Sequence, residues 1–284
     1  MQNSTMLWNV EQGVRDNGPT LNLILQTVWG LLSITALLST AVPPLRRLSL
    51  HGRLQSTRSS SVFMVRKSWF GFFYLLGWTW NGLVLVLAIL WSMSSSPLAC
   101  SGPTLICLVC LQCHLFRRML ESVSITQFGD STMHAAALIL GTCHYIMVSL
   151  SIVLDDGARD PMSLHWFDVL VLLGGLSLFL VASAHQMTCN AILASIKSSA
   201  ISYAIPQGDW FDLTWSPLYW AEVLLYTSLV LLSQGRNSNL MRIALWVAIN
   251  QSISAHRAKA WYVATFPAAA AALGHRATLI PHVW

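Results

Sequence analysis

The chain has 284 residues, of which 55% are hydrophobic and only 10% charged, with a mean hydropathy of +0.57 and a formal net charge of +5. A water-soluble domain carries roughly a quarter charged residues, so this composition excludes a disordered chain, a coiled coil and almost any soluble enzyme of this size. The class that remains is an all-α, multi-span helical membrane protein, and the 13 Trp suit the two membrane–water interfaces.

A helix needs roughly 20 apolar residues to cross a hydrocarbon core of about 30 Å. Taken in order, such runs lie at 20–42, 69–92, 134–154, 166–185 and 217–233. Two less apolar runs complete a set of seven expected spans. One covers 103–120 and ends in Arg117 and Arg118; the other covers 240–258 and is interrupted by Asn250, Gln251 and Ser252. No short apolar stretch with an Ala-x-Ala-like site precedes the first run, so a cleaved leader is not expected.

The basic residues divide unevenly between the two sides. Arg46, Arg47, Arg53, Arg58, Arg66 and Lys67 follow span one; Arg117 and Arg118 end span three; Lys197 follows span five; Arg257, Lys259 and Arg276 follow or end span seven. Only Arg15, Arg159, Arg236 and Arg242 fall on the other side. The positive-inside rule turns the richer side toward the cytosol, with a lumenal N-terminus and a cytosolic C-terminus. Asn3-Ser4-Thr5 is a glycosylation acceptor on the expected outer side.

Polar groups near spans are candidates for function because burying them in lipid is costly. They concentrate in 186–216, read as a loop, where Pro206, Gly208 and Asp209-Trp210 predict a turn and Ser216-Pro217 a helix start. Glu222 falls inside the next span, where an ionised carboxylate needs a cation or hydrogen-bond donors. Cys107, Cys110 and Cys113 imitate half of an iron–sulfur ligand run but have no fourth Cys, and inside a span Cys behaves as a small apolar residue. His114, His134, His144, His185 and His256 lack metal-ligand spacing, and no metal site is expected. Zinc-protease, P-loop and Gly-x-Gly-x-x-Gly patterns are missing, and nothing points to nucleic acid.

Several strings resemble a known family. Ser183-Ala184-His185-Gln186, Ile205-Pro206-Gln207-Gly208-Asp209-Trp210-Phe211 and Ser216-Pro217-x-Tyr219-x-Ala221-Glu222 resemble the C-terminal domain of the steroid 5α-reductase family, most of all its polyprenol (polyprenal) reductase branch. The segment His114-Leu115-Phe116-Arg117-Arg118-Met119-Leu120-Glu121 and Trp80-Asn81-Gly82 are similar to that branch as well. The resemblance covers about 69–262. It divides the chain into an N-terminal segment, 1–68, and a catalytic membrane domain, 69–284.

The resemblance implies a seven-span protein of the endoplasmic reticulum membrane that binds NADPH from the cytosol and takes a polyprenoid lipid from the bilayer. It would reduce the α-isoprene double bond on the route to dolichol, which supports protein N-glycosylation. It implies that Arg118, Gln186, Lys197, Tyr203, Asp209, Glu222 and Arg276 surround the dinucleotide, with Tyr262 nearby. Ala204 stands where the family has Arg, Leu218 where it usually has Asn, and Lys259 where it has His. Steroid-branch enzymes carry a Glu in span two where Phe72-Phe73 stands here, which disfavours a steroid enone.

Hydride addition to a carbon–carbon double bond needs a neighbouring group that accepts negative charge, so an α,β-unsaturated aldehyde is a better substrate than an allylic alcohol. Lys259 or Tyr262 is the expected donor to the aldehyde oxygen, and Phe72, Phe73 and Trp80 the expected isoprenoid contacts, along with Phe70 and Trp78. Other readings stay open: a steroid or terpenoid enone reductase, an isoprenylcysteine methyltransferase of related architecture, a seven-span receptor and a transporter. Receptor motifs such as Asp-Arg-Tyr and Asn-Pro-x-x-Tyr, and the inverted repeats of transporters, are not visible.

Overall fold

Eight α-helices account for most of the computed structural model, which describes residues 2–42, 64–94, 98–156, 165–199 and 204–283. They are α1 (Gln2–Ala41), α2 (Phe70–Met93), α3 (Gly102–Ser124), α4 (Ala135–Leu154), α5 (Trp166–Ser199), α6 (Pro217–Leu232), α7 (Ser238–Thr265) and the short α8 (Pro267–Ala272). The described strands are a three-residue antiparallel pair, β1 (Met64–Arg66) and β2 (Thr132–His134), with Val65 opposite Met133. The chain is therefore a multi-pass helical membrane protein. Five helical stretches are long and apolar enough to cross a bilayer: Glu11–Ala41, Lys67–Met93, Gly102–Ser124, Ala135–Leu154 and Trp166–Ile196. Pro217–Leu232 is apolar but shorter.

Three sequence boundaries move. The expected first span, 20–42, belongs to a helix that starts at Gln2; at 1.5 Å per residue α1 is about 60 Å long, twice the hydrocarbon core. The stretch 186–199, read as loop, continues α5 to Ser199. No Gly or Pro occurs there before Pro206, and Gln186, Cys189 and Asn190 turn inward at helical spacing, so a hydropathy window registers polarity that is confined to one face. The run 240–258 lies in one unbroken helix, α7, but misses the apolarity of the other spans because Asn250, Gln251, Ser254 and Arg257 face a cavity.

Helix contacts explain how the bundle closes. Gly77 lets α2 approach α4, since a Cβ there would lie 2.9 Å from Tyr145 Cβ. The buried Asn81, from the Trp-Asn-Gly string, ties three helices: its amide donates to Leu108 O (3.1 Å) and Gln112 Oε1 (2.7 Å), and its carbonyl accepts from Ser149 (3.0 Å). Buried polar groups in apolar surroundings require such partners. Trp29 of α1 is fully buried, donates to Ser151 (3.0 Å) and packs against His144 and Trp246.

The two ends of the bundle differ in charge. Arg66, Lys67, Arg117, Arg118, Arg257, Lys259 and Arg276 lie at the end formed by the β ladder and the C-termini of α3, α5 and α7. The opposite end holds Arg15, Arg236 and Arg242, together with Asp155 and Asp156. Asp155 accepts from Ser238 Oγ (2.6 Å) and Asn239 N (3.0 Å) at the start of α7. Asp156 accepts from Ser101 N and Oγ (both 2.8 Å) before α3. Both carboxylates thus satisfy donors at helix starts.

Candidate active site

A cavity of about 540 Å³ runs from the basic end into the bundle between α1, α2, α3, α4, α6 and α7, within the size range of small-molecule sites. Its wall has two characters. Arg118, Gln186, Glu222 and Arg257 line the basic end, and Phe73, Leu140, Trp246 and Val247 belong to the apolar part.

The polar part is built from consecutive turns of α3 meeting α5 and α6. Glu121 is 2% exposed and accepts from Arg117 (2.6 Å), from Arg118 and from Asn190 (3.1 Å). The i,i+3 and i,i+4 spacings put all three α3 groups on one face. Arg117 also donates to Gln186 Oε1 (2.5 Å), and Gln186 Nε2 donates to Glu222 Oε2 (2.7 Å). His114 Nε2 stands 3.8 Å from Glu222 Oε1. Glu222 thus meets an amide donor and an imidazole. Arg118 reaches Tyr74, donating at 3.4 Å to its hydroxyl, with the guanidinium carbon 5.3 Å from the ring centre.

A second polar cluster lies beside the basic end, where the C-terminal segment folds over the loop before α6. Gly208 (φ +92°) and Asp209 (φ +49°) turn the chain into a 3₁₀ turn, Asp209–Asp212. Asp209 Oδ1 meets His185 Nδ1 at 2.6 Å, and His185 stacks on Trp210 with ring centres 4.2 Å apart. Trp215 N donates to Ala277 O (2.9 Å) and Ala277 N to Leu213 O (3.0 Å), pinning the segment. Arg276, buried, donates to Pro206 O (2.9 Å), lies 3.6 Å from Asp212 and sits 5.6 Å from the Trp215 ring centre. Burial pushes its guanidinium below the ordinary arginine value, while Asp212 and Tyr262 oppose that shift. Among the described residues, Arg276 Nε, Trp215 Nε1 and Ser216 Oγ are buried without a hydrogen-bond partner.

Of the residues singled out in the sequence as cofactor or lipid contacts, Arg118, Gln186, Glu222, Phe70 and Phe73 meet in the cavity. Asp209 and Arg276 belong to the second cluster, beside it. Lys259 and Tyr262 do not line the cavity: Lys259 donates to Thr278 (3.2 Å), and Tyr262 packs on Trp215 and Trp261. Phe72 is 48% exposed on the outer face of α2, and Trp80 lies outside the cavity lining. Leu218, at the family's Asn position, lines the cavity. Ala204 is exposed. Tyr203 and the side chain of Lys197 lie outside the described residues. Sequence reasoning passed over Asn190, Tyr74, Tyr145 and Tyr226, quoted Glu121 within the resembling segment without giving it a role, and weighed His144 only as a metal ligand. Only Glu121 carried a readable signal, its spacing from Arg117 and Arg118.

A family model described as 3-oxo-5-alpha-steroid 4-dehydrogenase matches residues 132–284. The chain belongs to this steroid 5α-reductase family. It is similar to proteins named polyprenal reductase: 27% identical to that of Xenopus tropicalis, covering 78% of this chain and 81% of the relative. To polyprenal reductase 1 of Arabidopsis thaliana it is 27% identical over 91% of this chain and 96% of the relative. To the Homo sapiens protein it is 25% identical, covering 72% and 74%. The matched family region contains α4 to α8, and so Gln186, Glu222 and both polar clusters apart from the α3 residues.

Proposed function

We propose that this member of an oxidoreductase family reduces the α-isoprene double bond of a polyprenal with NADPH, in the endoplasmic reticulum membrane, with the basic end facing the cytosol. The carrying observation is the division of the cavity wall between two kinds of side chain, the charged Arg118, Glu222 and Arg257 and the apolar Phe73, Leu140, Trp246 and Val247. That division suits a charged, water-soluble cofactor arriving from the basic side and an apolar lipid lying among helices. The names of the relatives support a polyprenal as the substrate.

The residues present fit a dinucleotide. The buried donors Arg276 Nε, Trp215 Nε1 and Ser216 Oγ lack acceptors, a lack that phosphate or ribose oxygens would fill. Arg118, Gln186 and Glu222 form a donor–acceptor array of the kind that holds a carboxamide. Asp209 would add to the grip at the same end. NADPH, when bound, supplies a hydride. The protein's share is to orient the ring and the lipid, exclude water and stabilise charge on the substrate oxygen.

Purified protein in detergent is expected to consume NADPH with a long-chain polyprenal, and not with the matching polyprenol or a steroid enone. NADPH consumption with the steroid enone alone would transfer the assignment to the steroid branch. Failure to bind NADPH, read by thermal shift or fluorescence, would overturn the reductase reading.

A further inference from the structure

We propose that Tyr226, positioned by His144, is the hydrogen-bond donor to the substrate's carbonyl oxygen. The proposal rests on the reductase reading and names the part that Lys259 and Tyr262 leave open.

Both residues line the cavity, and His144 Nε2 lies 2.6 Å from the Tyr226 hydroxyl. The imidazole is buried and fixed by aromatic neighbours, with ring centres 5.5 Å from Trp29 and 5.0 Å from Trp246. Its Nδ1 is buried and has no hydrogen-bond partner among the described residues. A proton on Nδ1 would be a donor with no acceptor, which is costly in apolar surroundings. The proton therefore belongs on Nε2, which donates to the Tyr226 oxygen. This leaves the Tyr226 O–H free to donate into the cavity, strengthened by the bond it accepts.

Position agrees with this role. Glu222 and Tyr226 are four residues apart on α6, on one face and roughly 6 Å apart at their Cβ atoms. A nicotinamide held near Gln186 and Glu222 would leave Tyr226 one turn deeper, and an enal's oxygen lies three bonds beyond the carbon that receives hydride. In the net reaction the enal, NADPH and one proton become the saturated aldehyde and NADP⁺. Hydride bonds to the β-carbon, the double-bond pair shifts toward oxygen, and a solvent-derived proton ends on the α-carbon. Tyr226 keeps its proton while stabilising the oxygen. Tyr145 shares the wall, but among the described residues its hydroxyl makes no hydrogen bond to a histidine.

The test uses the full chain in detergent with an enal carrying a ¹³C-labelled carbonyl. Two readouts are taken: the infrared carbonyl band of the bound enal without NADPH, and steady-state kcat and KM with it. In the wild type the band shifts to lower frequency. Tyr226→Phe is expected to return the band to its apolar-solvent position and to lower kcat about a hundredfold or more, with NADPH affinity retained. His144→Leu weakens the band shift, whereas His144→Gln, which keeps an N–H donor, restores part of it. A shifted band and unchanged kcat in Tyr226→Phe overturn the proposal, as does Tyr145→Phe alone abolishing the shift. If Tyr226→Phe does not fold, an unaltered band in His144→Leu overturns the positioning of Tyr226. Wild type that binds NADPH and reduces no enal overturns the reductase reading instead.

Discussion

Asp155 and Asp156 at one end of the bundle, and Glu121 and Glu222 at the other, are carboxylates drawn into a mostly apolar protein, yet their partners differ in kind. The aspartates accept from backbone N–H and hydroxyl groups at the starts of α7 and α3. The glutamates face arginines, amides and an imidazole around a cavity. The cavity at the aspartate end, about 510 Å³, is similar in volume to the other. Size alone therefore does not mark the site. Open donors do not mark it either, since Trp91 Nε1 at the aspartate end is buried without a partner just as Arg276 Nε and Trp215 Nε1 are at the other. What separates the ends is the carboxylates' partners, helix starts at one and side-chain cations, amides and an imidazole at the other.

The comparison can be broken most forcefully at Glu121. Removing it by Glu121→Ala leaves Arg117, Arg118 and Asn190 facing an empty position, and one-sided loss of a buried ion pair costs about 3–5 kcal/mol. A large fall in the melting temperature in detergent is expected; a shift within error would mean that water already screens the pair. A smaller effect belongs to the other end. Asp155→Ala removes a cap from α7 and should cost about 1 kcal/mol. Its NADPH affinity should equal that of the wild type, and a weakened affinity would join the two ends functionally.

Legibility in the sequence follows the same divide. Regions where one physical signal dominates were readable: the start of α6 at Ser216-Pro217, the turn at Gly208, and helices α2, α4 and α6 to within one residue at either end. The separation of the described basic residues by end was also readable from charge alone, while Arg46, Arg47, Arg53, Arg58 and Arg159 lie outside the described residues. The extension of α5 was misread because a helix wall whose polar groups are confined to one face resembles a loop to any measure that averages around the helix. His144 and Tyr226 are 82 residues apart on different helices, and no local pattern links them. Tyr262 carried family resemblance and Lys259 stood at the family's His position, but Trp215 of the loop before α6 and Thr278 of the C-terminal segment engage them away from the cavity.

The smallest expected change in stability comes with the most direct test of the account. Glu222→Gln keeps the size of the side chain and can still bond Gln186, so the melting temperature should barely move. The dissociation constant for NADPH, titrated beside wild type and Asp155→Ala, is the measurement. Loss of a charged hydrogen bond is worth about 1.5–3 kcal/mol, so affinity should fall at least about tenfold in Glu222→Gln and stay constant in Asp155→Ala. An unchanged constant in Glu222→Gln would contradict the assignment of the cavity's basic end to the cofactor.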